Sequence, residues 1–218
     1  MKGKRLRGGI DLLDPMKVAE YWDRHEHGTV YRGWERFCRE VDPYITHVKA
    51  PRDIDVDLVD SMFFEWFVFD YRMSDGRTPL EIYAECAPDG LDACKRSLMC
   101  QLRQTQRFAQ YWVFGQDPQA GVSTLRDASN GEVLMLRDDI VAQTPWWQHG
   151  LLGLRVALLD GTWYMMGRTP MHDAGRPLSV TGYIERPTFL SLVQKTVGLD
   201  GEYLDSVQLH EYVAVDAA

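Results

Sequence analysis

One group of charged side chains is a candidate for acid–base chemistry. Glu65 and Asp70 flank the end of an aromatic-rich segment, and Arg72, Asp75 and Arg77 follow in a polar loop. Two carboxylates beside cationic groups can act as a general acid and a general base. The same pattern is typical of a structural role, in which an arginine pairs with Glu65 and loop amides donate to Asp70. We expect the structural role, and we retain Asp70, Arg72 and Arg77 as candidate ligand contacts.

The run His25-Glu26-His27 is a candidate metal site, because imidazole and carboxylate groups are ligands of zinc and iron. On a helix, residues i and i+2 point about 200° apart, so both imidazoles reach one ion only where the chain is irregular. His27 is expected near a helix end, where a cation is favourable. We therefore expect no metal site and no cofactor.

The four cysteines at positions 38, 86, 94 and 100 form no C-x-x-C pair and lack the dense spacing of a disulfide scaffold. Reduced thiols are the simplest interpretation. Cys94 lies on an apolar helical stripe and is predicted to be a core residue. No serine or cysteine has a G-x-S-x-G context, and neither G-x-G-x-x-G nor G-x-x-x-x-G-K occurs. The sequence predicts neither a nucleophile nor a phosphate cradle.

A tryptophan pair lies in the run Pro145-Trp146-Trp147-Gln148-His149, which is predicted to connect two strands. Two adjacent tryptophans do not easily both face the core of a small barrel. One of them is free to contact a base, a peptide proline or the apolar surface of a partner, and packing against the helical half is the alternative. We take Trp146, Trp147 and His149 as candidate binding residues.

The composition restricts the class of protein. The 218 residues are 45% hydrophobic and 26% charged, a mixture that excludes wholesale disorder and collagen-like repeats. The formal net charge of −8 disfavours nucleic acid as a partner, and the basic opening residues 2–7 are expected to be a solvated tail. No apolar run is long enough for a bilayer span or a signal peptide. We expect a cytoplasmic protein without membrane contact, with another protein or a second copy of the chain as partner.

Helical periodicity dominates the first half of the chain. Val59, Met62, Phe63, Trp66 and Phe67 follow the i, i+3, i+4, i+7, i+8 pattern, and this helix is predicted to be central. The run Thr78-Pro79-Leu80-Glu81 is typical of a capping box with proline at the first helical position. Five helices are predicted before residue 106, over 14–26, 29–42, 59–69, 78–87 and 89–105.

Near residue 106 the period of the apolar residues changes from about 3.6 to about 2, which predicts strands. Strands are predicted over 108–114, 122–127, 132–137, 152–159 and 162–167, with turns at Asn130-Gly131 and Asp160-Gly161. The segment 178–184 is a possible sixth strand. Pro187 opens a last helix that ends at Gly198, and the structure of residues 199–218 is left open.

The predicted fold is α+β. An N-terminal bundle of about five helices (1–106) packs on a small antiparallel β-barrel (107–184), and a C-terminal helix and tail follow (185–218). Both SH3-like and OB-like barrels fit five short strands, and the sequence does not choose between them.

Residues 63–72 and 75–81, together with Arg126-Asp127, Asn130-Gly131-Glu132, Leu152-Gly153-Leu154-Arg155 and Asp160-Gly161, resemble uncharacterised bacterial proteins of the SEC-C-associated group. The resemblance covers about residues 60–167. It implies no activity that could be transferred, because that group has none established. A SEC-C zinc motif needs clustered cysteines near the C-terminus, and no cysteine follows Cys100.

The leading functional hypothesis is a non-catalytic binding or interaction module that uses the barrel and the aromatic loop. One alternative is a hydrolase or metal-dependent enzyme with a site between the two halves, built on residues 25–27 or on Glu65, Asp70 and His47. A second alternative is nucleic-acid binding by the barrel.

Overall fold

The structure is a computed structural model that describes residues 16–41, 56–86, 88, 91–173 and 183–197. The helices are α1 (Met16–Val41), α2 (Val56–Phe69), α3 (Pro79–Cys86) and α4 (Ala93–Thr105), and later α5 (Asp139–Gln143) and α6 (Phe189–Val197). The strands are β1 (Arg107–Asp117), β2 (Val122–Asp127), β3 (Val133–Arg137), β4 (Leu151–Leu159), β5 (Thr162–Met165) and β6 (Met171–Asp173). The α+β prediction is confirmed.

Helix α1 contains both of the first two predicted helices, joined by a kink. Glu26 has non-helical backbone angles, φ −144° and ψ 49°, and this residue is the last of the first predicted segment. His25 Nδ1 donates to the carbonyl oxygen of Tyr21 at 2.8 Å, and His27 Nδ1 lies 2.6 Å from Asp23 Oδ1. Each histidine is therefore held by its own residue i−4. Among the described residues no group of histidine, cysteine or acidic side chains could hold a metal ion.

The central role of α2 is confirmed. Phe63, Trp66 and Phe67 are all buried, and the α1 residue Gly33 lies so close to them that a Cβ there would be 2.7 Å from the Phe67 ring. A larger residue at position 33 would have to displace the Phe67 ring, so glycine allows the aromatic side chains of α2 to pack directly on α1. Burying one large side chain contributes roughly 1.5 to 3 kcal/mol, so these aromatic residues anchor the helical half.

The boundaries of α3 and α4 follow from their caps. Thr78 Oγ1 accepts the Glu81 amide at 3.2 Å and Glu81 Oε2 accepts the Thr78 amide at 2.7 Å, which confirms the predicted capping box. The fifth predicted helix begins at Ala93, later than expected, because Asp92 caps it by accepting from the Lys95 amide. Cys94 lies in the first turn of this helix and is exposed, so its predicted place in the core is wrong.

The five strands β1–β5 close into a barrel. β1 pairs with β2 and β2 pairs with β3, both antiparallel; β3 pairs with β5 in parallel; β5 pairs with β4 and β4 with β1, again antiparallel. A simple meander would place β4 beside β3, whereas here β5 lies between them. This is the Greek-key order typical of an OB-like barrel, so the topology favours that alternative over an SH3-like one.

The predicted hairpin at Asp160-Gly161 joins β4 to β5, and both residues have positive φ angles of 46° and 76°. The sixth strand differs from the prediction. It is β6, which pairs with β4 from Leu151 to Gly153, whereas most of the predicted 178–184 strand lies outside the described residues. Tyr183 and Ile184 are described and are not in a strand.

The two largest hydrophobic clusters of the described residues lie in the barrel interior and in the helical half. The barrel interior is filled by side chains that include Tyr111, Leu125, Leu136 and Trp147. The helical core continues across the outside of β4 and onto α6, where Phe108 meets Phe189 edge to face with ring centroids 5.1 Å apart. The helical half, the barrel and α6 therefore share one packed interface. No helix in the described ranges is long and apolar enough to span a membrane.

Candidate functional site

A buried arginine on β4 joins the helical half to the barrel. The side chain of Arg155 is only 1% exposed. Its Nε donates to Glu65 Oε1 at 3.1 Å, one terminal nitrogen donates to Gln106 Oε1 at 2.7 Å, and the other donates to Asp70 Oδ2. Each guanidinium nitrogen thus has an acceptor, which is the condition for keeping such a charge buried. We call Glu65, Asp70, Gln106 and Arg155 the junction.

Both carboxylate oxygens of Glu65 accept hydrogen bonds at the junction. Its second oxygen, Oε2, accepts the amides of Arg168 at 2.9 Å and Thr169 at 3.4 Å, from the segment after β5. Gly167 makes room for the carboxylate, because a Cβ at that position would lie 2.5 Å from both carboxylate oxygens. Burial raises the pKa of Glu65, and the Arg155 guanidinium opposes that rise. The expectation that an arginine pairs with Glu65 is confirmed.

Aromatic rings enclose the guanidinium of Arg155. Its carbon lies 4.6 Å from the ring centre of Phe69, 5.4 Å from that of Phe189 and 5.7 Å from that of Phe108. These rings come from α2, α6 and β1, so three separate parts of the chain meet at one cation. A cation over aromatic faces is attracted by the ring quadrupole, and the attraction grows when water is excluded.

A cleft opens beside the junction. It has a volume of about 430 Å³, and its lining includes Trp66, Asp70, Gln106, Phe108 and Phe189. Asp70 reaches it with a side chain that is 34% exposed, whereas Glu65 is not part of the lining. The described residues that line the cleft include no histidine, cysteine or serine. The two carboxylates therefore do not form an acid–base pair in the cleft, and His47 lies outside the described residues.

Asp70 does not have the partners expected from the sequence. Its described hydrogen bond comes from Arg155 and not from loop amides. Arg72 donates to Glu81 Oε2 at 3.0 Å, and Arg77 pairs with Asp75 and with Glu85 at 2.6 Å each. The Arg77 backbone amide lowers the pKa of Asp75. Both arginines are on the solvent side of the loop and do not line the cleft, so the structure does not bring them together with Asp70 as one site.

The tryptophan pair is divided between core and solvent. It lies on a 3₁₀ helix (Pro145–Gln148) that, with α5, connects β3 to β4; neither helix was predicted. Trp147 is buried among the barrel core side chains and is not accessible to a partner. Trp146 is exposed, and so is His149, whose carbonyl oxygen faces His172 Nε2. Of the predicted aromatic loop, Trp146 and His149 therefore remain available.

The outer surface of β1, β2 and β3 is an exposed apolar patch that the sequence did not reveal. Phe114, Val133 and Met135 are 51%, 62% and 63% exposed. The pairing of Thr124 with Met135 and of Arg126 with Val133 puts these side chains on one face. We call this surface the sheet face; its outward residues are Phe114, Asp117, Val122, Thr124, Arg126, Val133, Met135 and Arg137.

A bulge in β1 aims Phe114 at solvent. The register with β2 shifts between Val113 and Gly115, so Phe114 has no direct partner in the ladder. The Arg126 guanidinium carbon lies 6.0 Å from the Phe114 ring centre. The sheet face carries two arginines, Arg126 and Arg137, and one carboxylate, Asp117, at its outward positions. These groups leave a small positive excess, although the chain as a whole has a net charge of −8.

One sequence signal could have located the sheet face. In β3 the residues Val133, Leu134, Met135 and Leu136 are all apolar, although only Leu134 and Leu136 point into the barrel. A strand of a small barrel that is apolar on both faces indicates that its outer face is covered by something else. Within the described residues nothing covers Val133 and Met135.

Residues that carried the family resemblance have structural roles here. The buried Asp127 accepts from the amide and hydroxyl of Ser129 and from Arg186, which fastens residues 183–186 to the β2–β3 loop.

Comparisons with protein-family models, with curated proteins and with solved structures find no match. The resemblance to the SEC-C-associated group therefore stays a prediction.

Proposed function

We propose that this chain is a non-catalytic binding module and that the sheet face binds another protein. The observation that carries the proposal is the composition of that surface. Protein interfaces are enriched in aromatic residues, methionine and arginine and depleted in lysine and acidic residues. The sheet face has Phe114, Met135 and Arg126 at exposed or half-exposed positions and no lysine or glutamate. Its one aspartate, Asp117, lies at the edge of the face and accepts from the amides of Gln119 and Ala120.

The closed barrel favours a binding site on its outer surface. Its interior is filled by core side chains, so a ligand cannot enter between the strands. The corresponding surface of OB-like barrels is a frequent ligand-binding region, and this is an argument from fold analogy alone. The enzyme alternative receives less support, because the cleft offers one carboxylate that is already paired with Arg155.

The charged groups of the sheet face indicate which chemistry its partner should have. Arg126 and Arg137 outnumber the one carboxylate of the sheet face, Asp117, so we expect a partner segment that combines apolar side chains with aspartate or glutamate. A second copy bound through the same face would bring together two surfaces that each carry a positive excess, which like-charge repulsion opposes. A partner different from the chain itself is therefore favoured.

Single-stranded nucleic acid is the competing class of partner. Phe114 beside Arg126 resembles the combination of an aromatic and a cation on which bases stack. Two arginines are few for tracking a phosphate backbone, and the net charge of −8 repels it. The exposed Val133 and Met135 add apolar area that a phosphate chain does not need, and they favour a protein.

A peptide-display selection on the purified full chain tests the proposal. Met135→Lys is the test variant, and Tyr31→Lys is the matched control, since Tyr31 is also exposed but lies on α1. We expect the selected peptides to be rich in apolar and acidic residues. Met135→Lys is expected to weaken their binding about tenfold or more, which is about 1.4 kcal/mol, and Tyr31→Lys to leave it unchanged.

Three results would contradict the proposal. The first is peptide binding that Met135→Lys does not weaken. The second is self-association of the chain that Met135→Lys abolishes, because it would make a second copy the occupant. The third is binding of a single-stranded oligonucleotide with an affinity that falls steeply with salt and is lost in Arg126→Ala, which would establish the nucleic-acid alternative.

A further inference from the structure

The cleft beside the junction has the shape and the charge of a ligand site that the proposed function does not use. We propose that it binds a small organic cation, an amine, amidinium or guanidinium group carried on a flat apolar body. The site is separate from the sheet face, because Asp70, Trp66 and Phe189 line it and none of the outward residues of the sheet face does.

Asp70 supplies the charge for this cation. Its Oδ2 accepts from Arg155, and among the described residues no group donates to its Oδ1. The side chain is 34% exposed within the cleft, so a ligand can reach the free oxygen. A hydrogen bond from a cation to a carboxylate is about twice as strong as one between neutral groups.

The balance of charges around the cleft selects a cation over an anion. Two carboxylates, Glu65 and Asp70, share the single guanidinium of Arg155. Arg107 also lines the cleft, and it is paired with Glu132 at 2.7 Å. The described groups therefore leave an excess of one negative charge. A bound cation would complete an alternating series from Glu65 through Arg155 and Asp70 to the ligand, whereas an anion would lie beside an unbalanced carboxylate.

The walls suit a flat apolar body. Trp66, Phe108 and Phe189 line the cleft, and aromatic faces attract cations as well as apolar rings. Two of these rings, Phe108 and Phe189, already lie within 6 Å of the Arg155 guanidinium carbon, at 5.7 and 5.4 Å. The volume of about 430 Å³ is within the range of small-molecule pockets and is ample for a single-ring compound.

Three probes of one shape and different charge test the proposal: benzamidine, a cation; benzamide, a neutral molecule; and benzoate, an anion. Calorimetric titration of the full chain is expected to give a Kd for benzamidine of about 1 mM, typical of a ligand this small, and much weaker binding of benzamide and benzoate. In NMR spectra, benzamidine should shift the Nε–H resonance of Arg155, which is identified by its slow exchange with water because the group is buried.

Asp70→Asn is the matched variant, because an asparagine oxygen can still accept from Arg155 while the charge is lost. We expect the variant to fold and to bind benzamidine about tenfold or more weakly. Met135→Lys, which alters the sheet face, should leave benzamidine binding unchanged, so that this test and that of the proposed function fail independently.

Benzoate binding as tight as that of benzamidine would overturn the proposal, and so would benzamidine binding that does not shift the Arg155 resonance. Absence of benzamidine binding up to about 10 mM would also overturn it. If Asp70→Asn does not fold, the preference among the three probes and the Arg155 resonance in the unmodified chain decide the question.

Discussion

The junction and the sheet face invert the usual distribution of side chains. At the junction, the side chains of Glu65 and Arg155 are withdrawn from water at the contact between the helical half and β4, and Asp70 stays 34% exposed. On the sheet face, Phe114, Val133 and Met135 are exposed to water. Each buried charged group of the junction has a partner, whereas nothing in the described chain covers the apolar side chains of the sheet face.

The junction and the sheet face differ in role: the first holds parts of the chain together, and the second is suited to contact another molecule. Buried ion pairs are weak evidence for stability, because the cost of desolvation offsets most of their attraction. The junction instead fixes how α2, β1, β4 and the segment after β5 fit together, since each of them supplies a group near Arg155. The exposed apolar side chains of the sheet face hold no parts of the chain together, and contact with another molecule explains them better.

The largest expected effect is that of Arg155→Ala. This variant leaves Glu65 buried without its cation, and we expect a loss of about 3–5 kcal/mol in the free energy of unfolding, measured by urea denaturation. Arg126→Ala on the sheet face is the matched control and should cost less than about 1 kcal/mol. Similar losses in the two variants would erase the contrast between the regions.

A double variant separates the charge effect from simple loss of packing. Replacing both partners, Glu65→Leu with Arg155→Met, keeps the volume and removes both charges, so we expect it to regain part of the stability lost in Arg155→Ala. The regain is partial because the Arg168 and Thr169 amides lose their acceptor. A double variant less stable than Arg155→Ala would mean that the pair itself is net stabilising.

A smaller effect is expected from adding one methyl group in each region. Gly167→Ala forces a Cβ to within 2.5 Å of the Glu65 oxygens, which Arg155 holds in place, and should cost about 1–3 kcal/mol in thermal or urea unfolding. At Gly115 a Cβ would meet Thr124 at 3.8 Å, an ordinary contact. Gly115→Ala should therefore leave stability unchanged or slightly raised, and an equal loss at both glycines would show that the junction is not tightly packed.

The smallest expected effect is a pH dependence at His172, which lies in neither region. Burial lowers the pKa of His172, so below pH 6.5 the unfolded chain binds a proton more readily than the folded chain does. Stability should fall as the pH drops from about 6.5 toward the folded pKa. Denaturation curves at several pH values measure this, with His172→Gln as control because glutamine can still donate to the His149 carbonyl. An unchanged slope in the control would assign the dependence to other groups.

Much of the helical half could be read from the sequence because its signals are local. The spacing of Phe63, Trp66 and Phe67 predicted the buried helix, and the Thr78–Glu81 capping box predicted where α3 begins. Cys94 was placed wrongly because an apolar stripe on a helix does not show how far the neighbouring elements extend over its first turn. Local periodicity indicates which face is apolar, and the packing decides how much of that face is covered.

The junction and the sheet face were harder to predict from the sequence. An arginine partner for Glu65 was expected, but Arg155 is 90 residues away and could not be chosen among the other arginines. The sheet face was missed because Val133 and Met135 have the same apolar character as Leu134 and Leu136 beside them, so alternation along β3 gave no contrast. The tryptophan pair gave the opposite result: adjacency led to the prediction that one of the two is free to contact a partner, and in the structure Trp146 is the exposed one.

The sequence by itself determined the helices before residue 106, the change to strands near that residue, the turn at Asp160-Gly161 and the helix cap at Thr78, because these depend on side chains within a few residues of one another. Tertiary structure decided that β5 lies between β3 and β4, that Arg155 is the cation of the junction, and which side of β3 faces water. These features depend on contacts between residues far apart in the chain, and such contacts are fixed only when the barrel closes against the helices.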